Sequence, residues 1–255
     1  IESKRVIDPN SQNAARSYPG HYSETGINIR EFTSDLIATG KKNLAPNLSL
    51  SVLVGHNIRQ RNVDIQFSEI NSLTIPFYYN LANSAQPPRT TNFNSIRRLY
   101  GVYSDINLSY KNYLFLGVTG RNDWSSTLPK GKNNFFYPSV NTSFVFSEAF
   151  KMPEFISYGK IRASAAQVGN DAAPYLLESV FISGTVNDGQ QNSQINFPLN
   201  GVPGFTQGNI IGNPEIKPEI TSSVEVGLEF GLLKNRITFE GTVYSNRSRD
   251  QIITV

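Results

Sequence analysis

Residues 222–247 read SSVEVGLEFGLLKNRITFEGTVYSNR. In the first half, Val224, Val226, Leu228 and Phe230 share one parity, while Ser223, Glu225 and Glu229 share the other. Leu233-Lys234-Asn235 interrupts the pattern, which resumes with Ile237, Phe239 and Val243 set against Thr238, Glu240, Thr242 and Tyr244. A period of two belongs to a strand, because successive side chains leave opposite faces of a sheet. Two such runs across a tight turn read as an antiparallel hairpin with one apolar and one polar face.

The same period recurs along the chain. In 47–58, Leu48, Leu50, Val52 and Val54 oppose Ser49, Ser51 and Gly55; in 96–110, Tyr100, Val102, Ile106, Leu108 and Tyr110 oppose Arg97, Gly101, Asp105, Asn107 and Ser109. In 136–146, Val140, Phe144 and Phe146 oppose Ser139, Asn141 and Ser143; in 158–167, Ile161, Ala163 and Ala165 oppose Lys160, Arg162 and Ser164. Segments 30–39 (Phe32, Leu36, Ala38) and 113–123 (Leu114, Leu116, Val118) carry weaker forms of the pattern. Together these make about eight strands, several at or beyond ten residues, against a usual length of roughly 5–6.

A soluble sandwich also alternates in this way, so the connections carry the decision. Short connections at 40–43, 111–112 and 233–235, and a moderate one at 147–157 with room for a short helix within 147–155, alternate with long ones near 59–95, 124–135 and 169–221. Outer-membrane barrels place short turns at the periplasmic end and long loops outside the cell. A compact soluble domain rarely holds a structureless loop as long as 169–221. The expected class is therefore all-β: part of an antiparallel transmembrane β-barrel, with residues 1–255 in one barrel domain. The weaker alternatives are a complete small outer-membrane barrel or adhesin, and a soluble carbohydrate-binding β-sandwich.

Composition agrees. Charged residues are 17% of the 255 and aromatics 11%, against a usual charged fraction of about 25%. No apolar run approaches the roughly 20 residues of a membrane helix, but a barrel strand needs only about 9–11. The net charge of +3 comes from scattered Lys and Arg, with Arg97-Arg98 and Lys41-Lys42 the densest groups. That distribution does not suggest a nucleic-acid face. With no cysteine and only two histidines, His21 and His56, no convergent catalytic or metal constellation is evident. No enzyme activity, cofactor or metal is expected. The opening Ile1-Glu2-Ser3-Lys4-Arg5-Val6 lacks signal-peptide architecture, and both ends read as a chain entered and left partway.

From about Asn94 onward the sequence resembles SusC/RagA-type TonB-dependent transporters of the outer membrane. The resemblance rests on Tyr100-Gly101-Val102-Tyr103 with Leu108-Ser109-Tyr110-Lys111-Asn112-Tyr113, and on the Arg-x-Asp-x-Ser-Ser pattern within Gly120–Leu128. It continues through Phe136-Tyr137-Pro138-Ser139-Val140, Lys160-Ile161-Arg162-Ala163-Ser164 with Gly169-Asn170, and Gly212-Asn213-Pro214-Glu215-Ile216-Lys217-Pro218-Glu219. It implies a barrel of about 22 strands with a plugged lumen, in the outer membrane of a Bacteroidota-type Gram-negative bacterium. It also implies a SusD-like surface lipoprotein lid, energy from TonB, and glycan or peptide as substrate. The plug, the TonB-binding segment and the terminal strands are not expected within these residues.

Two sets of side chains follow as candidates. Arg97, Asp105, Lys160, Arg162, Glu225, Glu229 and Glu240 fall on polar strand faces and are lumen candidates, where charges usually serve a hydrated wall. Trp124, Tyr78, Tyr79, Tyr175 and Phe205 fall at a strand end or in long loops and are candidates for substrate or lid contact. For Trp124 the favoured alternative is an aromatic girdle at the membrane interface.

Overall fold

The computed structural model describes residues 2–7, 20–84, 86–183, 185–187, 194–197 and 199–253. Its elements in chain order are β1 (Glu2–Ile7), β2 (His21–Ala45), β3 (Leu48–Ile70), β4 (Arg89–Tyr110), β5 (Leu114–Ser125), β6 (Asn134–Phe144), α1 (Phe146–Ala149) and β7 (Ile156–Asn170). They continue with β8 (Phe181–Ser183), β9 (Thr185–Asn187), β10 (Gln194–Asn196), β11 (Phe205–Gln207), β12 (Glu219–Leu232) and β13 (Ile237–Arg249). One nine-stranded sheet runs β1-β2-β3-β4-β5-β6-β7-β12-β13, and the short strands form two two-stranded sheets, β10-β9 and β11-β8. The large sheet is antiparallel and not closed. No helix among the described residues is long and apolar enough to cross a membrane.

Several sequence expectations are corrected. The large sheet has nine strands rather than about eight; the addition is β1, a six-residue polar strand paired with β2 from Glu2↔Gly26 to Ile7↔His21. The turn expected at 40–43 lies at 46–47, because β2 runs on to Ala45. The loop expected near 59–95 contracts to 71–88, because β3 continues to Ile70 and β4 begins at Arg89. Arg59–Glu31, Arg30–Asp64 and Arg89–Glu69 ion pairs lie along these extended ends at 2.8, 3.0 and 3.2 Å. Val63, Ile65 and Phe67 alternate with Asp64, Gln66 and Ser68 along the extended end of β3, so the period of two continues past Ile58. The loops near 124–135 and 169–221 likewise shrink to 126–133 and 171–218, the latter containing β8 to β11. Residues 184, 188–193 and 198 of that loop, and the terminal Ile1, Thr254 and Val255, lie outside the described residues.

By contacts the chain divides into two compact units, Ile1–Thr33 with Arg59–Arg97, and Ser34–Ile58 with Arg98–Val255. In the first, Tyr22, Ile70 and Leu73 form a small buried cluster, with Tyr79 and Leu81 packed against it. Its loop 71–88 is closed by Asn83, whose side chain bonds Ile75 N, Ile75 O and Tyr78 O. In the second unit, Leu128, Phe135 and Ala172 are buried together beneath Tyr137, Leu176, Ile216 and Ile252.

The turns at one end of the strands are tight for a local reason. The connection between β4 and β5 is the three residues 111–113, within which Lys111 and Asn112 have φ of 48° and 58°, a left-handed pair that reverses the chain sharply. Lys111 N also donates to Asn47 O at 2.8 Å, tying neighbouring turns together. Leu233, Lys234 and Asn235 adopt positive φ at the next tight turn.

Candidate functional site

The second unit is a wall with two chemically distinct faces, and the strand registers create both. Ile106 pairs with Val118, Val118 with Val140, Val140 with Ala165, and Ala165 with Val224. One step along, Leu116, Thr142, Ala163, Val226 and Val243 form a second row. These side chains are not packed against a second sheet: Val140 is 43% exposed, Val226 53% and Val243 78%. A β-sandwich would bury such a face, so that alternative does not fit. A continuous exposed apolar surface of this kind suits an apolar solvent.

Aromatic side chains bound this face at both ends. Tyr100 and Trp124 are cross-strand partners with ring centroids 5.4 Å apart, and His56 lies 6.0 Å from Tyr100. At the turn end, Tyr110, Tyr113, Phe144 and Phe150 form a chain of edge-on contacts at 5.6 to 5.9 Å. Along β4, Tyr100 and Tyr110 are ten positions apart, about 34 Å at the rise of an antiparallel strand. Tilted as barrel strands are, that becomes about 25 Å of height, the usual apolar band between aromatic girdles. Trp124 thus sits on the apolar face, in a row of aromatics with Tyr100.

The opposite face is polar. Asp105, Thr119, Ser139, Ala166, Ser223 and Asn246 make one cross-strand row. Five of the seven lumen candidates meet in one network on β7, β12 and β13. Lys160 Nζ lies 3.2 Å from Glu229; Arg162 Nη2 donates to Glu240 at 2.9 Å and to Thr242 Oγ1 at 2.8 Å, and lies 3.8 Å from Glu225. Arg162 Nε is buried without a hydrogen-bond acceptor, with Glu229 at 4.0 Å. Two cations face three carboxylates, and the pairs keep enough water contact that each adds roughly 0–1 kcal/mol to stability. The network does not include Asp105, which accepts from Asn107, or Arg97, which lies half-buried in β4.

A second cluster lies toward the long-loop end of the same face, at the Arg-x-Asp-x-Ser-Ser segment. Arg121 Nε donates to Asp123 at 2.8 and 3.1 Å, the Tyr137 hydroxyl donates to Asp123 Oδ2, and the Arg121 guanidinium stands 5.4 Å from the Tyr103 ring centroid. Gly101 makes room, because a β-carbon there would fall 2.2 Å from Asp123 Oδ1 and 2.5 Å from Arg121 Nη2. Just beyond, the Ser125 hydroxyl and Thr127 Oγ1 both donate to buried Asp171 Oδ2. None of these was among the sequence candidates. The available signal was the parity of Arg121 and Asp123, which puts two opposite charges on one strand face.

The loop aromatics separate. Tyr79 is packed inward, 6.3 Å from the Tyr22 ring, whereas Tyr78 is 54% exposed. Tyr175, at φ 67°, and Phe205, on β11, are exposed in the loop 171–218. The described residues contain no group of three or more metal-ligating side chains.

Comparison with known proteins places this geometry. A family model described as TonB dependent receptor-like, beta-barrel matches residues 4–255. TonB-dependent receptor P26 of Formosa agariphila is 25% identical over 246 residues, covering 92% of this chain and 23% of that protein. TonB-dependent receptor P3 of the same organism is 25% identical over 207 residues, covering 79% of this chain and 20% of that protein. The chain thus spans about a quarter or less of these curated relatives. Among solved structures, the RagAB peptide transporter superposes with TM-score 0.78 at 18% identity, over 99% of this chain and 27% of that one. The 'open-open' state of the RagAB peptide importer superposes with TM-score 0.70 at 20% identity, over 96% and 26%. The likeness of fold spans nearly all of the chain, including the first ninety residues, where the sequence offered no motif.

Proposed function

The chain belongs to the TonB dependent receptor-like β-barrel family, and we propose that it forms part of the wall and the extracellular loops of an outer-membrane nutrient importer. The apolar face bounded by Tyr100-Trp124 and Tyr110-Tyr113-Phe144 meets lipid. The face carrying Asp105, Lys160, Arg162, Glu225, Glu229 and Glu240 lines the lumen, where a plug contributed by the rest of the protein sits. Arg97 extends this polar wall along β4. Trp124 acts as a girdle residue rather than a substrate contact. Exposed Tyr78, Tyr175 and Phe205 face substrate or a SusD-like surface lipoprotein, and inward-packed Tyr79 supports its loop.

The observation that carries this reading is the pair of cross-strand rows, apolar at Val118-Val140-Ala165-Val224 and polar at Thr119-Ser139-Ala166-Ser223, in a chain that matches the family from residue 4 onward. The network around Arg162 serves a solvated wall and does no chemistry. Substrate, glycan or peptide, binds above the plug beneath the lid, and TonB coupling through the remainder of the protein moves the plug. The family's Bacteroidota relatives support an outer membrane of that kind.

The test is purification of the natural protein from outer membranes in detergent, with intact mass recorded. The reading expects a chain several times heavier than the 28.3 kDa of these residues, accompanied by a lipoprotein. A species of that mass that stays monodisperse without detergent overturns it.

A further inference from the structure

Of the three connections at the long-loop end between β3 and β12, 126–133 is the shortest, and its charge differs from that of the others. Loop 71–88 carries no charged residue and 171–218 carries four carboxylates against one lysine, whereas 126–133 carries Lys130 and Lys132 and no carboxylate. The short loop is held in place. Leu128 is buried with Phe135 and Ala172, Thr127 Oγ1 donates to Asp171, and Ser125 N donates to Asn133 O at 2.9 Å. Pro129-Lys130-Gly131-Lys132 makes a tight turn: Lys132 N donates to Pro129 O at 3.0 Å, and Gly131, at φ 85°, takes the position that needs a left-handed residue. The turn leaves Lys130 and Lys132 exposed, with Cα atoms at most about 7 Å apart. Arg98 flanks the loop from β4, where Ser126 N donates to Arg98 O at 3.0 Å and Arg98 N donates to Ser126 Oγ at 2.9 Å. Arg98 is exposed and shares the parity of Tyr100, so it leaves the apolar face two positions beyond the Tyr100-Trp124 pair. The carboxylates Asp123 and Asp171 are buried and already accept from Arg121, Tyr137, Ser125 and Thr127.

We propose that Arg98, Lys130 and Lys132 hold the phosphate of a lipid headgroup in the leaflet on the long-loop side. The inference rests on the membrane-wall part of the importer reading and adds a lipid site to it. In a Gram-negative outer membrane that leaflet is built of phosphorylated, sugar-based lipid. Tyr100, Trp124 and Phe136, the last 60% exposed, lie where the apolar face ends, the level at which acyl chains meet headgroups. Cations just beyond such rings stand at the depth of the phosphates. A long loop would carry its lysines away from the bilayer, but Thr127 and Leu128 are buried, so this loop stays at the rim. Net positive charge is therefore placed on the one connection of the three that is short and pinned.

The test uses the full-length protein in a neutral detergent, with bound lipid counted by native mass spectrometry. The probes are phosphorylated lipid A and the same lipid stripped of its phosphate. Lys130 and Lys132 are exposed, so Lys130→Gln/Lys132→Gln leaves folding intact. A cation near an anionic membrane surface is worth about fivefold in affinity, so this variant should bind phosphorylated lipid A about tenfold or more weakly than the wild type. The stripped lipid should bind both proteins alike, and more weakly than the phosphorylated form binds the wild type. Lys111→Gln/Lys151→Gln, at the tight-turn end, should match the wild type with both lipids. Equal affinity of the wild type and Lys130→Gln/Lys132→Gln for phosphorylated lipid A overturns the inference while leaving the importer reading intact. So does equal binding of the two lipids by the wild type. Displacement of the lipid by millimolar inorganic phosphate overturns it as well, because it marks a site for the free anion. Uptake of neither lipid overturns it together with the membrane-wall reading, a failure that the mass and detergent experiment registers on its own.

Discussion

Gly227 lies directly beneath the side chain of Arg162: a β-carbon built at Gly227 would fall 2.3 Å from Arg162 Nε and 2.8 Å from its Cγ. The two are cross-strand partners, and the bare backbone lets the guanidinium cross β12 to reach Glu240 and Thr242 on β13. Gly227→Ala should push Arg162 off this path. Overpacking costs about 1–3 kcal/mol, and the low end is expected because the arginine can swing aside. Urea unfolding of the full-length protein in detergent checks the cost. Gly241→Ala is the control, since a β-carbon there meets only the Phe239 ring, at 3.3 Å.

Asp123 holds the Arg121 guanidinium and the Tyr137 hydroxyl at once, and is itself 4% exposed. Asp123→Ala leaves a partly buried cation and a hydroxyl without their acceptor. Breaking one side of a buried pair costs about 3–5 kcal/mol, and the 29% exposure of the Arg121 side chain places this variant at or below the lower bound. Tyr137→Phe removes one bond to a charged group and should cost about 1.5–3 kcal/mol. Thermal unfolding should rank Asp123→Ala as the more damaging of the two.

The two faces should respond oppositely to charge. Val140→Arg puts a guanidinium in the apolar row, and at the depth of the bilayer midplane this costs about 2–4 kcal/mol. Ser139→Arg, one residue earlier and facing the other way, should cost little. The comparison is made by folding into lipid vesicles, and equal effects at both positions would contradict the assignment of faces.

Asn83 makes three bonds that close the loop 71–88. Asn83→Ala leaves the Ile75 N–H without its side-chain acceptor and the Ile75 and Tyr78 carbonyls without their side-chain donor. The expected result is faster cleavage of this loop under limited proteolysis, with the strands beyond it intact.

The strands of the second unit were legible because each presents one apolar and one polar face, so parity alone put Lys160 and Arg162 with Glu225, Glu229 and Glu240. What parity could not give was register. Whether Arg162 meets Glu240 depends on Gly227 pairing with both Arg162 and Thr242, a relation between strands far apart in the chain. The continuation of β3 past Ile58 has a short alternation of its own, Val63, Ile65 and Phe67 against Asp64, Gln66 and Ser68, but the polar run Arg59-Gln60-Arg61-Asn62 separates it from Val52 and Val54 and makes the stretch read as a loop. Tyr79 and Tyr78 were indistinguishable in sequence, and only the packing of one against Tyr22 separates them.

The most direct test of the central claim is a pair of single cysteines, at Val140 and at Asn141, in the full-length protein reconstituted in vesicles. These residues of the chain contain no cysteine of their own. Each site is labelled with an environment-sensitive fluorophore, and quenching by lipids brominated on their acyl chains is measured. Strong quenching at Val140 and little at Asn141 is the result the account predicts. Equal quenching at both, or the reverse order, would contradict a barrel wall with lipid on the apolar face and the lumen on the other.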